Sequence, residues 1–115
     1  MGQVYYLSSC TTCRKILEQL PAHSLELIDI KTSPPTAVQI DELAAHAGSY
    51  SAIFSKKSML YKSLNLKDEV LDEAAMRKYL LQHYTFLKRP VFYINGKVFA
   101  GNSAAVIKDV HQALQ

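Results

Sequence analysis

The chain has 115 residues, of which 49% are hydrophobic and 20% are charged, a composition typical of one soluble globular domain with its own core. Its net charge of +3 comes from 13 Lys and Arg against 10 Asp and Glu. With no Lys/Arg tract, this charge is too small to indicate direct nucleic-acid binding. No signal peptide or membrane-spanning run is apparent, so we expect a cytoplasmic protein without membrane contact.

The N-terminal third predicts a β-α-β unit. Residues 4–7 are apolar and predict a buried strand, and residues 11–20 predict a helix that Pro21 ends. The residues spaced for one face of this helix are Cys13, Ile16, Leu17 and Leu20. That spacing points Cys13 inward. Residues 24–30 alternate in polarity and predict a second strand, parallel to the first, with the helix as the crossover.

The middle of the chain predicts helices only. We expect a helix over 37–47, one or two short helices within 50–66, a polar turn at 67–69, and a helix over 73–84 with Asp72 as its N-cap. The residues spaced for the buried face of this last helix are Met76, Tyr79, Leu80 and His83.

The C-terminal part returns to a strand period. Residues 90–94 and 97–100 predict two antiparallel strands, joined by the hairpin signal Asn95-Gly96. Ser103 caps a last helix through Leu114.

The element order is therefore β-α-β, helical insert, β-β-α, which is the thioredoxin-like order. We expect an α/β fold, with a four-stranded mixed sheet flanked by helices on both faces. The chain would form a single domain over residues 1–115, with the helical insert at approximately 34–84.

The two cysteines of the chain, Cys10 and Cys13, lie at the predicted strand-to-helix corner. A thiolate at a helix start is favoured by free N–H groups and the helix dipole, and Arg14 adds a positive charge nearby. Cys-x-x-Cys beside a βαβ pattern is typical of a thioredoxin-like redox motif. We therefore expect Cys10 to be the exposed nucleophile and Cys13 the resolving thiol.

Three other interpretations of the pair remain. Buried small side chains are disfavoured because the neighbouring residues are polar. Half of a zinc site would need further ligands, and the histidines are scattered without pairing: His23, His46, His83 and His111. A structural disulfide would close a very small loop and stabilise little. We expect no metal.

Arg89-Pro90 opens the predicted third strand. Similarity to thioredoxin-like folds implies that Pro90 is cis, stands opposite the reactive cysteine and faces the substrate; the sequence also permits a trans proline at a strand edge. Arg89 would then project near Cys10, where a guanidinium lowers a thiol pKa and binds an oxyanion. The alternative is a solvated surface arginine.

With these motifs the sequence resembles the arsenate reductase/Spx (ArsC-like) family, a thioredoxin-like group with a helical insert. The resemblance covers nearly the whole chain. It rests on residues 10–15, on residues 61–66 in the insert, on His83, and on residues 89–91.

The resemblance implies a site only in part. In arsenate reductases that use glutathione and glutaredoxin, one cysteine attacks arsenate and three arginines hold the oxyanion. Cys10 and Arg89 match that cysteine and one arginine. The second arginine falls at Ser55, with Lys56 beside it, and the third falls near residues 101–102. Lys56 would supply charge without the planar fork of an arginine.

We therefore expect a thiol-disulfide oxidoreductase of the arsenate-reductase-like family, with Cys10 and Cys13 as the reacting pair and Arg89 beside them. Arsenate reduction coupled to glutathione and glutaredoxin stays open as its reaction beside disulfide exchange. The residues expected to stabilise the thiolate or an oxyanion are Thr11, Thr12, Arg14 and Lys56. No bound cofactor is expected. Glutathione, glutaredoxin or thioredoxin would be the external reductant, so the partner would be a small thiol or a glutaredoxin-type protein.

Two alternatives stay open. The Cys-x-x-Cys form is similar to Spx, which implies a redox-sensing transcriptional regulator that binds RNA polymerase and not DNA directly. The third hypothesis is a non-catalytic thioredoxin-like binding module.

Overall fold

The computed structural model describes residues 2–21 and 23–115 and contains a four-stranded mixed sheet. Its strands are β1 (Gly2–Tyr6), β2 (Glu26–Asp29), β3 (Val91–Ile94) and β4 (Lys97–Ala100). The spatial order is β2-β1-β3-β4. Strand β1 is parallel to β2 and antiparallel to β3, and β3 and β4 form an antiparallel hairpin.

The helices of the described residues are α1 (Thr11–Gln19), α2 (Ala37–Ala47), α3 (Met59–Ser63), α4 (Glu73–Gln82) and α5 (Ala104–Ala113). Short 3-10 turns lie at Ser51–Ile53, Leu66–Asp68 and Tyr84–Phe86. The element order and the mixed sheet flanked by helices confirm the predicted thioredoxin-like fold class. Within the described ranges, none of the helices has the length and apolar character needed to cross a membrane.

The chain forms two compact units. The first consists of Met1–Ser33 and Arg89–Gln115, and the second is Pro34–Lys88. The second unit contains the stretch that the sequence predicts to be the helical insert.

The core of the first unit lies between one face of the sheet and the helices α1 and α5. Its buried residues are Val4, Ile16, Leu25, Phe92, Ile94 and Val110. Burial of these side chains removes apolar surface from water, which is the main favourable term in folding. This packing fixes α1, and therefore the cysteine pair at its start, against the central strands.

Local sequence signals set the elements of the first unit. Asn95 and Gly96 have φ values of 50° and 80°, the two positive values that a tight type I′ hairpin turn needs. Ser103 caps α5 by accepting a hydrogen bond from the backbone N–H of Val106. Pro90 lies outside β3 because proline has no N–H to donate to the sheet.

The second unit is built on capped helices and aromatic packing. Thr36 and Gln39 form a reciprocal capping box at the start of α2, and Asp72 caps α4 as predicted. The ring of Phe86 stacks on that of Phe54 at a centroid distance of 5.5 Å.

The predicted position of His83 on the buried face of α4 is wrong. Helix α4 ends at Gln82, one residue earlier, and the His83 side chain is exposed. Its Nδ1 accepts a hydrogen bond from the backbone N–H of Thr85 at 3.1 Å. The ring therefore caps the following 3-10 turn, so it is not part of the packed face of α4.

A charged cluster connects α2 and α4. The Arg77 guanidinium donates to both carboxylate oxygens of Asp41, at 2.7 and 3.1 Å. The Tyr50 hydroxyl donates to the same carboxylate. Hydrogen bonds from Arg77 first, and from Tyr50 second, lower the pKa of Asp41 from 3.8 to about 2.

This cluster predicts a pH-dependent loss of stability. Because the folded-state pKa of Asp41 lies below its ordinary value, its contribution is present above pH 3.8 and is lost as the pH falls toward about 2. We expect Asp41→Asn to lose less stability than the wild type between those two pH values. Urea unfolding at a series of pH values measures this.

The matched control is Glu42→Gln, because Glu42 is the exposed next residue of the same helix. It should keep the acid dependence of the wild type. An Asp41→Asn curve parallel to the wild-type curve in this pH range would contradict the prediction.

Candidate functional site

Cys10 is the N-cap residue of α1. Its backbone is extended, with φ −87° and ψ 114°, and its side chain makes no capping bond. Its carbonyl accepts the first helical hydrogen bond, from the N–H of Arg14 at 3.1 Å. The N–H groups of the first helical turn have no partner inside the helix and are left to hydrogen-bond the sulfur of Cys10.

The environment of Cys10 favours its thiolate. Partial burial raises its pKa, but hydrogen bonds from the backbone N–H and the thiol of Cys13 lower it. The N–H of Thr12 and the positive charge of Arg89 lower it further. These effects outweigh burial, so the pKa of Cys10 lies below the ordinary value of 9.0.

Cys13 has the opposite environment. Its side chain is fully buried, as the helical spacing predicts. The pKa of its thiol is raised to about 11, mainly by burial and also by the hydrogen bond and charge of the neighbouring Cys10. At neutral pH the pair therefore consists of an ionisable, partly exposed sulfur and a protonated, buried sulfur.

Leu7 connects β1 to both cysteines. Its carbonyl accepts the N–H of Cys10 at 3.0 Å, which closes a turn through Ser8 and Ser9. Its own N–H is a hydrogen-bond donor to the sulfur of Cys13. The backbone of one residue thus holds the two thiols in position, and this is why β1 ends at Tyr6 and not at Leu7.

Arg89 and Pro90 come from the distant start of β3. The Arg89–Pro90 peptide bond is cis. The half-buried Arg89 places its positive charge near both cysteines and lowers the pKa of each thiol. Pro90 is buried, and its carbonyl accepts the N–H of Gly101 at 2.9 Å.

The other predicted site residues lie in two parts of the chain, at the start of α1 and in the second compact unit. Thr11, Thr12 and Arg14 are exposed on the first turn of α1, and the contact of Thr12 with the Cys10 sulfur is through its backbone. The charge that acts on both sulfurs belongs to Arg89. Lys56 lies in the second compact unit, in an exposed turn.

Sequence reasoning missed Asp29, the last residue of β2. Its carboxylate accepts a hydrogen bond from the Ser8 hydroxyl at 2.6 Å. The predicted parallel pairing of β1 and β2 places their ends at the same edge of the sheet, but it does not specify the register that brings Asp29 to Ser8. In the described ranges 2–21 and 23–115, no group of three or more His, Cys, Asp or Glu side chains is arranged to hold a metal ion.

Comparison with known proteins gives a consistent family. A family model described as the ArsC family matches residues 5–110. An arsenate reductase from Neisseria meningitidis is 26% identical over 94% of this chain and 96% of its own length. The global transcriptional regulator Spx from Streptococcus pneumoniae is 28% identical over 79% of this chain and 71% of its own length.

Solved structures agree with the fold. The structure of an arsenate reductase from Vibrio cholerae superposes with a TM-score of 0.79, covering 98% of this chain and 97% of that chain. Its identity of 23% means that this likeness carries the fold and nothing finer.

The site predicts which arginine favours the Cys10 thiolate. Arg89→Gln removes the positive charge, so we expect the pKa of Cys10 to rise toward 9.0. Arg14→Gln makes the same chemical change at an exposed position and should shift the pKa less. The pH dependence of iodoacetamide alkylation, assigned to Cys10 by peptide mass spectrometry, measures both shifts.

If Arg14→Gln shifted the pH profile of Cys10 alkylation as much as Arg89→Gln, Arg14 on α1 would stabilise the thiolate as strongly as Arg89. The prediction would then be wrong.

Proposed function

Because the chain belongs to the ArsC family, we propose that it is a thiol-disulfide oxidoreductase in which Cys10 is the nucleophile and Cys13 resolves. One observation carries this proposal: of two cysteines three residues apart, Cys10 lies partly exposed at the N-cap of α1 and Cys13 lies fully buried one turn inside it. These environments shift the two pKa values in opposite directions, downward for Cys10 and upward for Cys13. Such a separation of pKa values is how one site assigns different roles to two like groups.

The proposed reaction has two exchange steps. The Cys10 thiolate attacks one sulfur of a substrate disulfide, so that a Cys10 mixed disulfide forms and the other substrate sulfur leaves as a thiolate. Cys13 then transfers its proton to the departed substrate thiolate, and the Cys13 thiolate attacks the Cys10 sulfur. This releases the second substrate thiolate and leaves a Cys10–Cys13 disulfide. The substrate gains two electrons, and the cysteine pair loses them.

The chain's own groups support each step. The N–H groups of Thr12 and Cys13, together with Arg89, stabilise the attacking thiolate of Cys10. Burial and the neighbouring Cys10 thiolate keep Cys13 protonated, and the effect of the thiolate ends when Cys10 forms the mixed disulfide. Pro90 would face the bound substrate, as the family resemblance implies.

We propose that the enzyme works in the cytoplasm without a bound cofactor. Glutathione, glutaredoxin or thioredoxin would reduce the Cys10–Cys13 disulfide and close the cycle.

We propose a disulfide as the substrate class, and arsenate is the alternative substrate. Of the three arginines that hold an oxyanion in the arsenate reductases, Arg89 alone has a match in this chain. Ser55 stands at the position of the second, and residues 101–102 lie near that of the third. One guanidinium suits a single thiolate better than it suits an oxyanion that needs several donors.

The second candidate is a redox-sensing regulator. The relative Spx favours it, since that protein is a global transcriptional regulator. In this case formation of the Cys10–Cys13 disulfide would be the signal, and RNA polymerase the partner. Capture of RNA polymerase by one redox state and not the other, without steady turnover, would distinguish the regulator from the enzyme.

Cysteine variants test the proposed chemistry. We expect Cys10→Ser to lose all turnover of a small disulfide such as hydroxyethyl disulfide, because the nucleophile is absent. Cys13→Ser should stop after the first step and accumulate a mixed disulfide on Cys10, which intact-mass spectrometry detects. Ser9→Ala changes an exposed neighbour and should retain turnover.

The same samples are assayed with arsenate in the presence of glutathione and glutaredoxin. Arsenate turnover that exceeds disulfide turnover would overturn the substrate class. Equal activity of Cys10→Ser and wild type would overturn the whole proposal and favour a non-catalytic binding module.

A further inference from the structure

The turn before α1 determines where both sulfurs lie. Leu7 and Cys10 close this turn with a backbone hydrogen bond, and Ser8 and Ser9 are its two central residues. Because the Leu7 N–H also reaches the sulfur of Cys13, a displacement of the turn moves the surroundings of both thiols.

Asp29 holds this turn from the neighbouring strand. Its carboxylate accepts the Ser8 hydroxyl at 2.6 Å, and the backbone N–H of Ser8 is a second donor to it. The first of these bonds is the main cause of the lowered pKa of Asp29, so the carboxylate is ionised at neutral pH. A short, charge-assisted contact therefore fixes the first central residue of the turn.

Backbone hydrogen bonds at and next to Asp29 fix the position of this residue. Its register partner across the β1–β2 ladder is Tyr6, and the next residue, Ile30, donates its N–H to the Tyr6 carbonyl at 2.9 Å. Its carbonyl accepts the N–H of Ser33 at 2.8 Å, and its Oδ1 accepts the N–H of Lys31 at 3.2 Å. The carboxylate thus transmits the position of β2 to the turn.

We propose that Asp29 is a positioning residue for the Cys10 thiol, acting through its hydrogen bonds to Ser8 and the turn that Ser8 begins. Asp29 is not a catalytic residue, because its carboxylate accepts hydrogen bonds from Ser8 and from the backbone N–H of Lys31 and acts on the sulfurs only through the turn. The consequence for turnover rests on the proposed oxidoreductase function. The consequence for the reactivity of Cys10 does not.

The hydrogen bonds of Asp29 and its negative charge have opposite expected effects on the reactivity of Cys10. A carboxylate near a thiolate repels it, and removing the charge alone would make Cys10 more reactive. The positioning role requires the reverse: loss of the acceptor loosens the turn, weakens the donors around the sulfur and makes Cys10 less reactive. Asp29→Asn keeps an acceptor oxygen and removes the charge, whereas Asp29→Ala removes both.

The test is the rate of Cys10 alkylation by iodoacetamide at pH 7, measured on the reduced full chain without any substrate. We expect Asp29→Ala to react several-fold more slowly, because a higher Cys10 pKa leaves a smaller thiolate fraction at this pH. Asp29→Asn should react nearly as fast as the wild type. The Cys10–Cys13 reduction potential of Asp29→Ala should become more negative, because the reduced form loses stabilisation.

Two further variants keep the test decisive. Ser8→Ala removes the hydroxyl donor and leaves β2 intact, so it should slow alkylation even if Asp29→Ala fails to fold. If both act through the same bond, Ser8→Ala combined with Asp29→Ala should be no slower than Asp29→Ala alone. Asp109→Ala, at an exposed position on α5, is the matched control and should leave the rate unchanged.

Unchanged alkylation in folded Asp29→Ala and in Ser8→Ala would overturn the proposal, since Asp29 would then have only a structural role. Faster alkylation in both Asp29 variants would also overturn it, because charge repulsion would dominate. Neither result depends on turnover. A failed disulfide assay with slowed alkylation would therefore count against the proposed function and not against the positioning role.

Discussion

The arrangement of the site depends on the two hydrogen bonds that Leu7 makes after β1 ends. Its carbonyl accepts from Cys10 and its N–H donates to the sulfur of Cys13. If Leu7 continued the strand, its backbone N–H and C=O would both be hydrogen-bonded within the sheet. Because Leu7 leaves the ladder, the chain turns at once into α1, with one cysteine at the cap and the other one turn inside. The turn follows directly from β1, which lies between β2 and β3 in the sheet.

From this arrangement follows the chemical difference between two identical side chains. Cys10, at the cap, meets free N–H groups and the charge of Arg89, and both favour its thiolate. Cys13 faces the core, where burial disfavours its charged form. The same feature, the start of α1, therefore separates the pair by exposure and by acidity together. This division suits sequential attack and resolution better than it suits a structural bridge.

Much of the fold could be predicted because its signals are local. The spacing from Cys13 to Leu20 marks the buried face of α1, and Asn95-Gly96 marks the hairpin. His83 shows the limit of periodicity: the spacing places it on the packed face of α4, but its ring caps the next turn. A single hydrogen bond from a side chain to the backbone can end one helix and cap the next turn. The 3.6-residue spacing of apolar side chains carries no information about such a bond.

The site was predictable where its residues are adjacent in sequence and less so where they are brought together by the sheet. The motif at residues 10–14 indicates a redox pair by itself. The contact of Asp29 with Ser8 arises from the register that pairs Asp29 with Tyr6, and no local pattern specifies that register. The sequence predicts positive charge near Cys10 from both Arg14 and Arg89, and the charge that acts on both sulfurs comes from Arg89.

The origin of that charge bears on the substrate. Arg89 comes just before Pro90 and β3, so its charge reaches the cysteines from the sheet side and not from α1. The Arg89 charge acts on both sulfurs. This suits a reaction in which the attacking thiolate is first Cys10 and then Cys13. An arsenate oxyanion carries more charge and more acceptor oxygens, and would need the forked donors that Ser55 does not supply. The charge distribution around the cysteines thus supports a disulfide substrate over arsenate.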